Sequence, residues 1–292
     1  MTTVEIPVSG PFSLDRSIRF LEGFPPARYR GTAAERVLRM AFPVEGDGAT
    51  VGIAVRQPAP DLVIAEAAGT PPERWAAQVA RILSLDVDGA GYAAVLAGDH
   101  VVAALAARPP GLRPVCFWSP YEAACYALLS QRTSMAQAAI VKERISRDHG
   151  ELRSIAGVEL PAFPAPARLR AVAADLPVPE VKRNRLRAVA EAALDGVLDG
   201  DRLRSLPVDE ALGIVQRSPG MGPFSAELVV VRGAGAPDVF PAHEGRLHDA
   251  MRVLYGLPDA SADDLAGVAA RWSPFRSWVA VLIRSNRRPG GS

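Results

Sequence analysis

The sequence predicts an α+β fold in which a sheet comes first and helices follow. Apolar residues alternate with period two at Leu38, Met40 and Phe42 and again at Val51, Ile53 and Val55, which marks half-buried strands. From Ser119 onward the periodic stretches are almost all helical, with Pro or Gly between them, and Pro109-Pro110-Gly111 separates the two regimes. The boundary placed there gives an N-terminal sheet domain over residues 1–112 and a helical domain over residues 113–292. With 49% hydrophobic residues, a chain of 292 is long enough to bury a substantial core.

Each element has its own signal. Gln57-Pro58-Ala59-Pro60-Asp61 is a turn ahead of the apolar residues 62–64 and suits an antiparallel pair. Pro72 opens an amphipathic stretch with Trp75, Val79, Ile82 and Leu83 at helical spacing, so the sheet carries a helix. Ser119-Pro120-Tyr121-Glu122 combines an N-cap, a proline in the first turn and a glutamate at the capping-box position. Phe163-Pro164-Ala165-Pro166 is a loop, after which residues 169–176 and 185–198 read as helices. The tail from Arg287 to Ser292 reads as frayed.

Charge and cysteine content exclude several classes. Lys plus Arg number 33 against 32 for Asp plus Glu, so any affinity for a polyanion must be local. No stretch approaches the ~18 apolar residues of a membrane span, and residues 1–12 carry no leader pattern, so a cytoplasmic protein is expected. Two cysteines, Cys116 and Cys125, are too few for a four-cysteine metal site and read as buried small apolar residues. His243 and His248 stand five apart, on different helix faces, and no metal site built from side chains is expected.

The most specific local pattern is a helix, turn and helix. Residues 207–215 form a short helix, Arg217-Ser218-Pro219-Gly220-Met221-Gly222-Pro223 a tight turn, and residues 224–231 a second helix closed by Gly233. Gly220 and Gly222 let the main chain approach a ligand, and Pro223 suits the first helical position because its missing N–H is not needed there. Free amides and the positive end of the second helix then converge where a phosphate oxygen could sit. Such a contact positions a protein on DNA without reading sequence. Taken alone, Gly-Met-Gly-Pro reads first as a plain tight connection between helices.

The residues downstream extend the pattern. Ser218-Pro219-Gly220-Met221-Gly222-Pro223-Phe224-Ser225-Ala226-Glu227, then Arg232-Gly233, then Pro237-Asp238-Val239-Phe240-Pro241, resembles the signature of the HhH-GPD superfamily, and within it the 3-methyladenine DNA glycosylase II family. Further likeness lies at Ile82-Leu83-Ser84-Leu85-Asp86, at Pro120-Tyr121-Glu122-Ala123 with Leu129-Ser130-Gln131, and at Trp272-Ser273-Pro274-Phe275-Arg276-Ser277-Trp278. The resemblance implies a TATA-binding-protein-like sheet domain, then a helix-hairpin-helix domain of two lobes with the active site between them. It implies a monomer acting on damaged double-stranded DNA in base-excision repair of alkylated purines. The damaged nucleotide is rotated into a pocket, and a carboxylate stabilises the sugar cation or positions water.

Carried over residue by residue, the resemblance assigns Glu244 the place of the catalytic carboxylate, where the family has aspartate. Glutamate keeps the charge and adds a methylene, and a shift of ~1 Å costs about 100-fold in rate. Slower or re-targeted chemistry, an inactive DNA-binding member, and a glycosylase for a neutral damaged base all remain open. Asp238 falls in the turn ahead of it, with a stabilising role there. Phe224 stands where bifunctional members carry a lysine, so no lyase activity is expected.

Phe224, Leu228, Arg284 and Trp278 are the base-pocket residues, although Trp278 reads more readily as core than as pocket wall, and Arg284 repels a cationic base unless it pairs with Glu244 or a phosphate. Gln131 and Arg132 fall where the family inserts a side chain into the duplex. Gly220, Met221, Gly222 and Ser225 grip phosphate, with Lys182, Arg183 and Arg185 as weaker contacts. The family's hairpin also holds a structural alkali-metal ion through main-chain carbonyls, and no other cofactor is implied.

Overall fold

Alternating apolar residues near the N-terminus build a four-stranded antiparallel sheet in the order β1-β4-β3-β2. In this computed structural model, which describes residues 1–27, 29, 33–106 and 111–286, the chain opens with β1 (Thr2–Pro7) and α1 (Leu14–Glu22). Next come β2 (Leu38–Pro43), β3 (Thr50–Ala59) and β4 (Leu62–Ala67), then α2 (Trp75–Ile82). The Pro109-Pro110 break and the tail 287–292 lie outside the described residues. Helices α1 and α2 cover one face of the sheet, where Leu14, Ile18, Val79 and Ile82 pack on Phe42, Ile53 and Val55.

The strands are more deeply buried than alternation alone predicts. Met40, Ala41 and Phe42 are all buried, because a hairpin from later in the chain covers the second face and packs Ile155 and Ala162 on Ala41 and Ala54. A side chain at Gly52 would meet Ile155, so glycine there admits the hairpin.

Residues 92–106 also depart from the expected grouping. They form α3 (Tyr92–Ala97) and α4 (His100–Ala106), whose Tyr92 and Val102 join the core of the last helices rather than the sheet. The buried Asp99 carboxylate explains the attachment: it accepts from Tyr255 Oη at 2.7 Å and Trp272 Nε1 at 3.1 Å. The stretch assigned to the sheet domain up to residue 112 therefore divides between two cores.

Helix α5 (Pro120–Ser130) runs through the middle lobe and is buried from Pro120 to Leu129. Around it lie α6 (Met135–His149), the hairpin β5 (Leu152–Ile155) and β6 (Val158–Pro161), α7 (Pro166–Val172), α8 (Glu180–Leu194), α9 (Gly200–Ser205), α10 (Val208–Gln216) and α11 (Pro223–Leu228). The other lobe is α12 (Gly245–Tyr255), α13 (Ala262–Ala269) and α14 (Arg276–Ser285), with α3 and α4. Ser119 caps α5 as expected, accepting from the Glu122 amide, but the Glu122 carboxylate does not complete a capping box. It pairs instead with Lys142 at 2.5 Å, a buried ion pair whose ammonium also reaches the Pro26 carbonyl. A second buried pair, Arg81 with Glu45, takes the Gly200 amide as a further donor and ties the sheet unit to α9. Among the described residues no helix is long and apolar enough to cross a membrane.

Candidate active site

The hairpin forms where the sequence places it. Helix α10 ends at Gln216, the turn closes with Met221 N–H donating to the Ser218 carbonyl at 3.0 Å, and Pro223 opens α11. Gly220 has φ +86, a conformation that demands glycine, and a Cβ there would lie 2.7 Å from Arg185 Cδ and push that side chain aside. Among the described residues the amides of Gly220, Gly222 and Ser225 donate to no acceptor and remain available. Helix α11 runs on into a wider π-type turn, Val229–Gly233, where a Cβ on Gly233 would sit 2.7 Å from Pro120 Cα. That close approach fixes the hairpin against α5.

Two of the expected DNA contacts have other employment. Met221 does not grip phosphate: its side chain is buried in the middle-lobe core and its amide is spent within the turn. Gln131 is not extended as a wedge, because its Nε2 donates to the Gly220 carbonyl at 2.7 Å and its Oε1 accepts from Arg185 Nη1 at 2.9 Å. It braces the hairpin turn instead. The Lys182 ammonium donates to the Leu129 and Gln131 carbonyls, and burial together with the nearby Arg185 holds it below its ordinary pKa. Arg183 donates to the Val178 carbonyl. Arg132 is exposed in the turn between α5 and α6, with φ +55, a strained backbone for a non-glycine residue.

A cleft of about 1280 Å³ opens between α1, α5, α11, α12 and α14. It brings together Phe224, Leu228, Arg284 and Glu244, four residues singled out from sequence. Phe224 is 44% exposed at α11's first turn. Glu244 occupies the N-cap position of α12, yet its carboxylate makes no capping bond. That carboxylate faces Arg284, with Oε1 3.7 Å from Nε. Ser225 lies buried next to Phe224.

Trp278 does not reach this cleft. It is 2% exposed and packs edge-on to Tyr92 at 5.0 Å and against Phe275 at 5.0 Å, with the Arg113 guanidinium 5.1 Å from its ring. One face of α14 is turned into the lobe core, and its neighbours Ser277, Ala280 and Val281 line the cleft instead.

The loop that carries Glu244 is held at several points. Asp238 accepts from the Arg276 amide at 3.2 Å, from Arg276 Nε at 2.7 Å and from Ser273 Oγ at 2.8 Å. Burial pushes its carboxyl up, but these donors outweigh burial and leave it below its ordinary value. Ser277 Oγ accepts from the Val239 amide and donates to the Val239 carbonyl. His248 stacks on Phe240 and its Nε2 lies 3.2 Å from the Pro241 carbonyl.

Sequence reasoning missed the cleft's inner wall. Phe20 and Phe24 come from the N-terminal unit, stacked at 5.3 Å, while Phe117 and Tyr126 add two more rings. Arg232 lies over both Phe20, at 5.2 Å, and Phe24, at 4.9 Å, and donates to the Val115 carbonyl. Burial draws its guanidinium below the ordinary value. The signal available was an arginine in the apolar run Val229-Val230-Val231-Arg232. Tyr126 Oη is buried without a partner among the described residues, and burial pushes it up to about 12.

No protein-family model matches the sequence. Over 205 residues, 70% of this chain, it is 30% identical to a probable bifunctional transcriptional activator/DNA repair enzyme AlkA of Mycobacterium tuberculosis, covering 40% of that protein. Over 186 residues, 61% of this chain, it is 32% identical to DNA-3-methyladenine glycosylase 2 of Escherichia coli K12, covering 62% of it. The chain thus spans less than two thirds of either relative's length. Among solved structures, a 3-methyladenine DNA glycosylase from Archaeoglobus fulgidus superposes with a TM-score of 0.78 at 20% identity, over 96% of both chains. An 8-oxoguanine glycosylase/lyase of Clostridium acetobutylicum gives 0.65 at 17%, over 98% of this chain and 95% of that one. At such identities these two establish a shared fold. In sequence and in fold the chain resembles the HhH-GPD superfamily and, within it, the 3-methyladenine DNA glycosylase II family.

Proposed function

We propose that the chain is a monofunctional DNA glycosylase of base-excision repair, hydrolysing the N-glycosidic bond of alkylated purines in duplex DNA. The observation that carries this reading is Glu244, a carboxylate on the wall of an aromatic-lined cleft beside a hairpin with unengaged amides. The hairpin amides hold a phosphate, Arg132 enters the duplex, and the damaged nucleotide rotates into the cleft. Phe224 stacks on the base. As the bond between base and C1′ breaks, its electron pair leaves with the base, and Glu244 stabilises the resulting sugar cation. Water adds to C1′ and loses a proton, leaving an abasic site in an intact strand. With Phe224 in place of a lysine, no amine attacks the sugar.

A second reading has its own observation. Arg232 and Arg284 both line the cleft, and two guanidinium groups favour a neutral base over a cationic one. The protein acts as a monomer in this proposal. The carbonyls of Ser218, Gly220 and Gly222 each already accept one hydrogen bond and keep a second lone pair, so the turn fits an alkali-metal ion held by main-chain oxygens, with a structural role.

Release of free bases from methylated duplex DNA tests the proposal. Purified protein is expected to liberate methylated purines and leave the strand uncut. A lesion panel that yields only deaminated or other neutral bases selects the second reading, and a protein that binds duplex DNA but releases nothing contradicts both.

A further inference from the structure

Resting on the glycosylase reading, we infer that Glu227, acting through His243, is a positioning residue for the Glu244 carboxylate. Glu227 is a buried carboxylate on the cleft wall, 5% exposed near the end of α11. Both its oxygens are committed to one residue: Oε2 accepts the His243 backbone N–H at 2.9 Å, and Oε1 lies 2.7 Å from His243 Nδ1. Nδ1 carries the proton of that contact, since a carboxylate can only accept. His243 immediately precedes Glu244.

The geometry makes this pair a clamp between two parts of the site. Glu227 belongs to the hairpin helix that would hold the duplex, whereas His243 belongs to the loop that carries the catalytic carboxylate. The His243 ring is 54% exposed, so its own burial cannot fix it, and the buried carboxylate, 6% exposed, does so instead. At Glu244 itself main-chain turns hold the loop, Glu244 N–H to the Pro241 carbonyl and the Leu247 and His248 amides to the Glu244 carbonyl, and beyond it Arg246 Nη1 reaches Met135 Sδ at 3.5 Å. Glutamate has one more side-chain torsion than aspartate, so the aim of its carboxylate depends more heavily on a stiff backbone. A two-point grip on the preceding residue supplies that stiffness.

The test compares single-turnover base release with equilibrium binding to lesion-free duplex, for wild type, Glu227→Ala, Glu227→Gln, His243→Ala and the double alanine variant. Loss of the clamp in Glu227→Ala is expected to slow release about 100-fold while duplex affinity changes by less than about threefold. Glu227→Gln retains one acceptor for the His243 amide and is expected to recover about tenfold of that rate. His243→Ala should cost nothing further in the Glu227→Ala background, because the two residues act as one unit. Should Glu227→Ala not fold, Glu227→Gln and His243→Ala carry the comparison. Release at the wild-type rate, or equal losses in binding and release with no rescue by Glu227→Gln, overturns the positioning role alone. A wild type inert on every duplex overturns the glycosylase reading and this inference with it.

Discussion

Arg284 Nε lies 3.7 Å from Glu244 Oε1, and both side chains are about a quarter exposed to the cleft. The distance is that of an ion pair without a direct hydrogen bond, so the guanidinium shares the carboxylate's field without spending its oxygens. A cationic methylated base entering the cleft meets this guanidinium, whereas a neutral base does not pay that repulsion. Charges ~7 Å apart at an effective dielectric constant of ~20 interact by about 2 kcal/mol. Arg284→Gln is accordingly expected to raise the ratio of single-turnover rates on cationic over neutral lesions by about tenfold. An unchanged ratio would mean that Arg284 does not face the base.

Gln131 and Gly220 together set the shape of the hairpin turn. Removing the Gln131 amide in Gln131→Ala frees the Gly220 carbonyl and Arg185, and is expected to weaken duplex binding by about tenfold, the worth of roughly one to two hydrogen bonds. Gly220→Ala, strained at φ +86 and pressed on Arg185, is expected to weaken it further and to cost about 1–2 kcal/mol of stability. Fluorescence anisotropy on a lesion-free duplex, with thermal unfolding alongside, measures both.

Phe224 leaves the site without a nucleophilic amine on α11. Borohydride treatment of protein with damaged duplex is expected to trap no covalent adduct, and denaturing gels should show uncut strands until the abasic site is cleaved chemically. A trapped adduct would mean that a different amine reaches C1′.

Asp238 gives a pH signature in stability. Its folded value lies below the ordinary one, so its contribution is complete above the unfolded value of about 4 and is lost as pH falls through the folded value. Asp238→Asn is expected to cost about 1–3 kcal/mol at neutral pH, from lost charge-assisted hydrogen bonds to Arg276 and Ser273. The gap in Tm between wild type and variant should narrow as pH drops from 5 toward 2. A gap constant with pH would contradict the assigned network.

How much was legible in the sequence follows from where each signal resides. The hairpin was legible because its demands are local: Gly220 needs a positive φ, and Pro223 needs a first-turn position. Phe224, Leu228, Glu244 and Arg284 were reached through family likeness, and the structure gathers them in one cleft. Trp278 as a pocket residue went astray because the direction of a side chain on a helix depends on what the neighbouring helices present, and Met221 because the turn's closing bond takes its amide while its side chain drops into the middle-lobe core. The inner wall was not legible at all, since Phe20 and Phe24 arrive from the sheet unit, over 200 residues away from Arg232. Residues 92–106 joined the C-terminal lobe through Asp99, a buried carboxylate whose partners Tyr255 and Trp272 lie far along the chain.

The central claim is that Glu244 performs the chemistry of base excision. Single-turnover base release from methylated duplex DNA by wild type, Glu244→Gln and Glu244→Asp tests it most directly. The account predicts release by wild type and a loss of at least about 100-fold in Glu244→Gln, with duplex binding retained. Wild-type rates in Glu244→Gln would contradict it, and an inert wild type that gains activity as Glu244→Asp would make the present chain a DNA-binding protein or an enzyme for a different lesion.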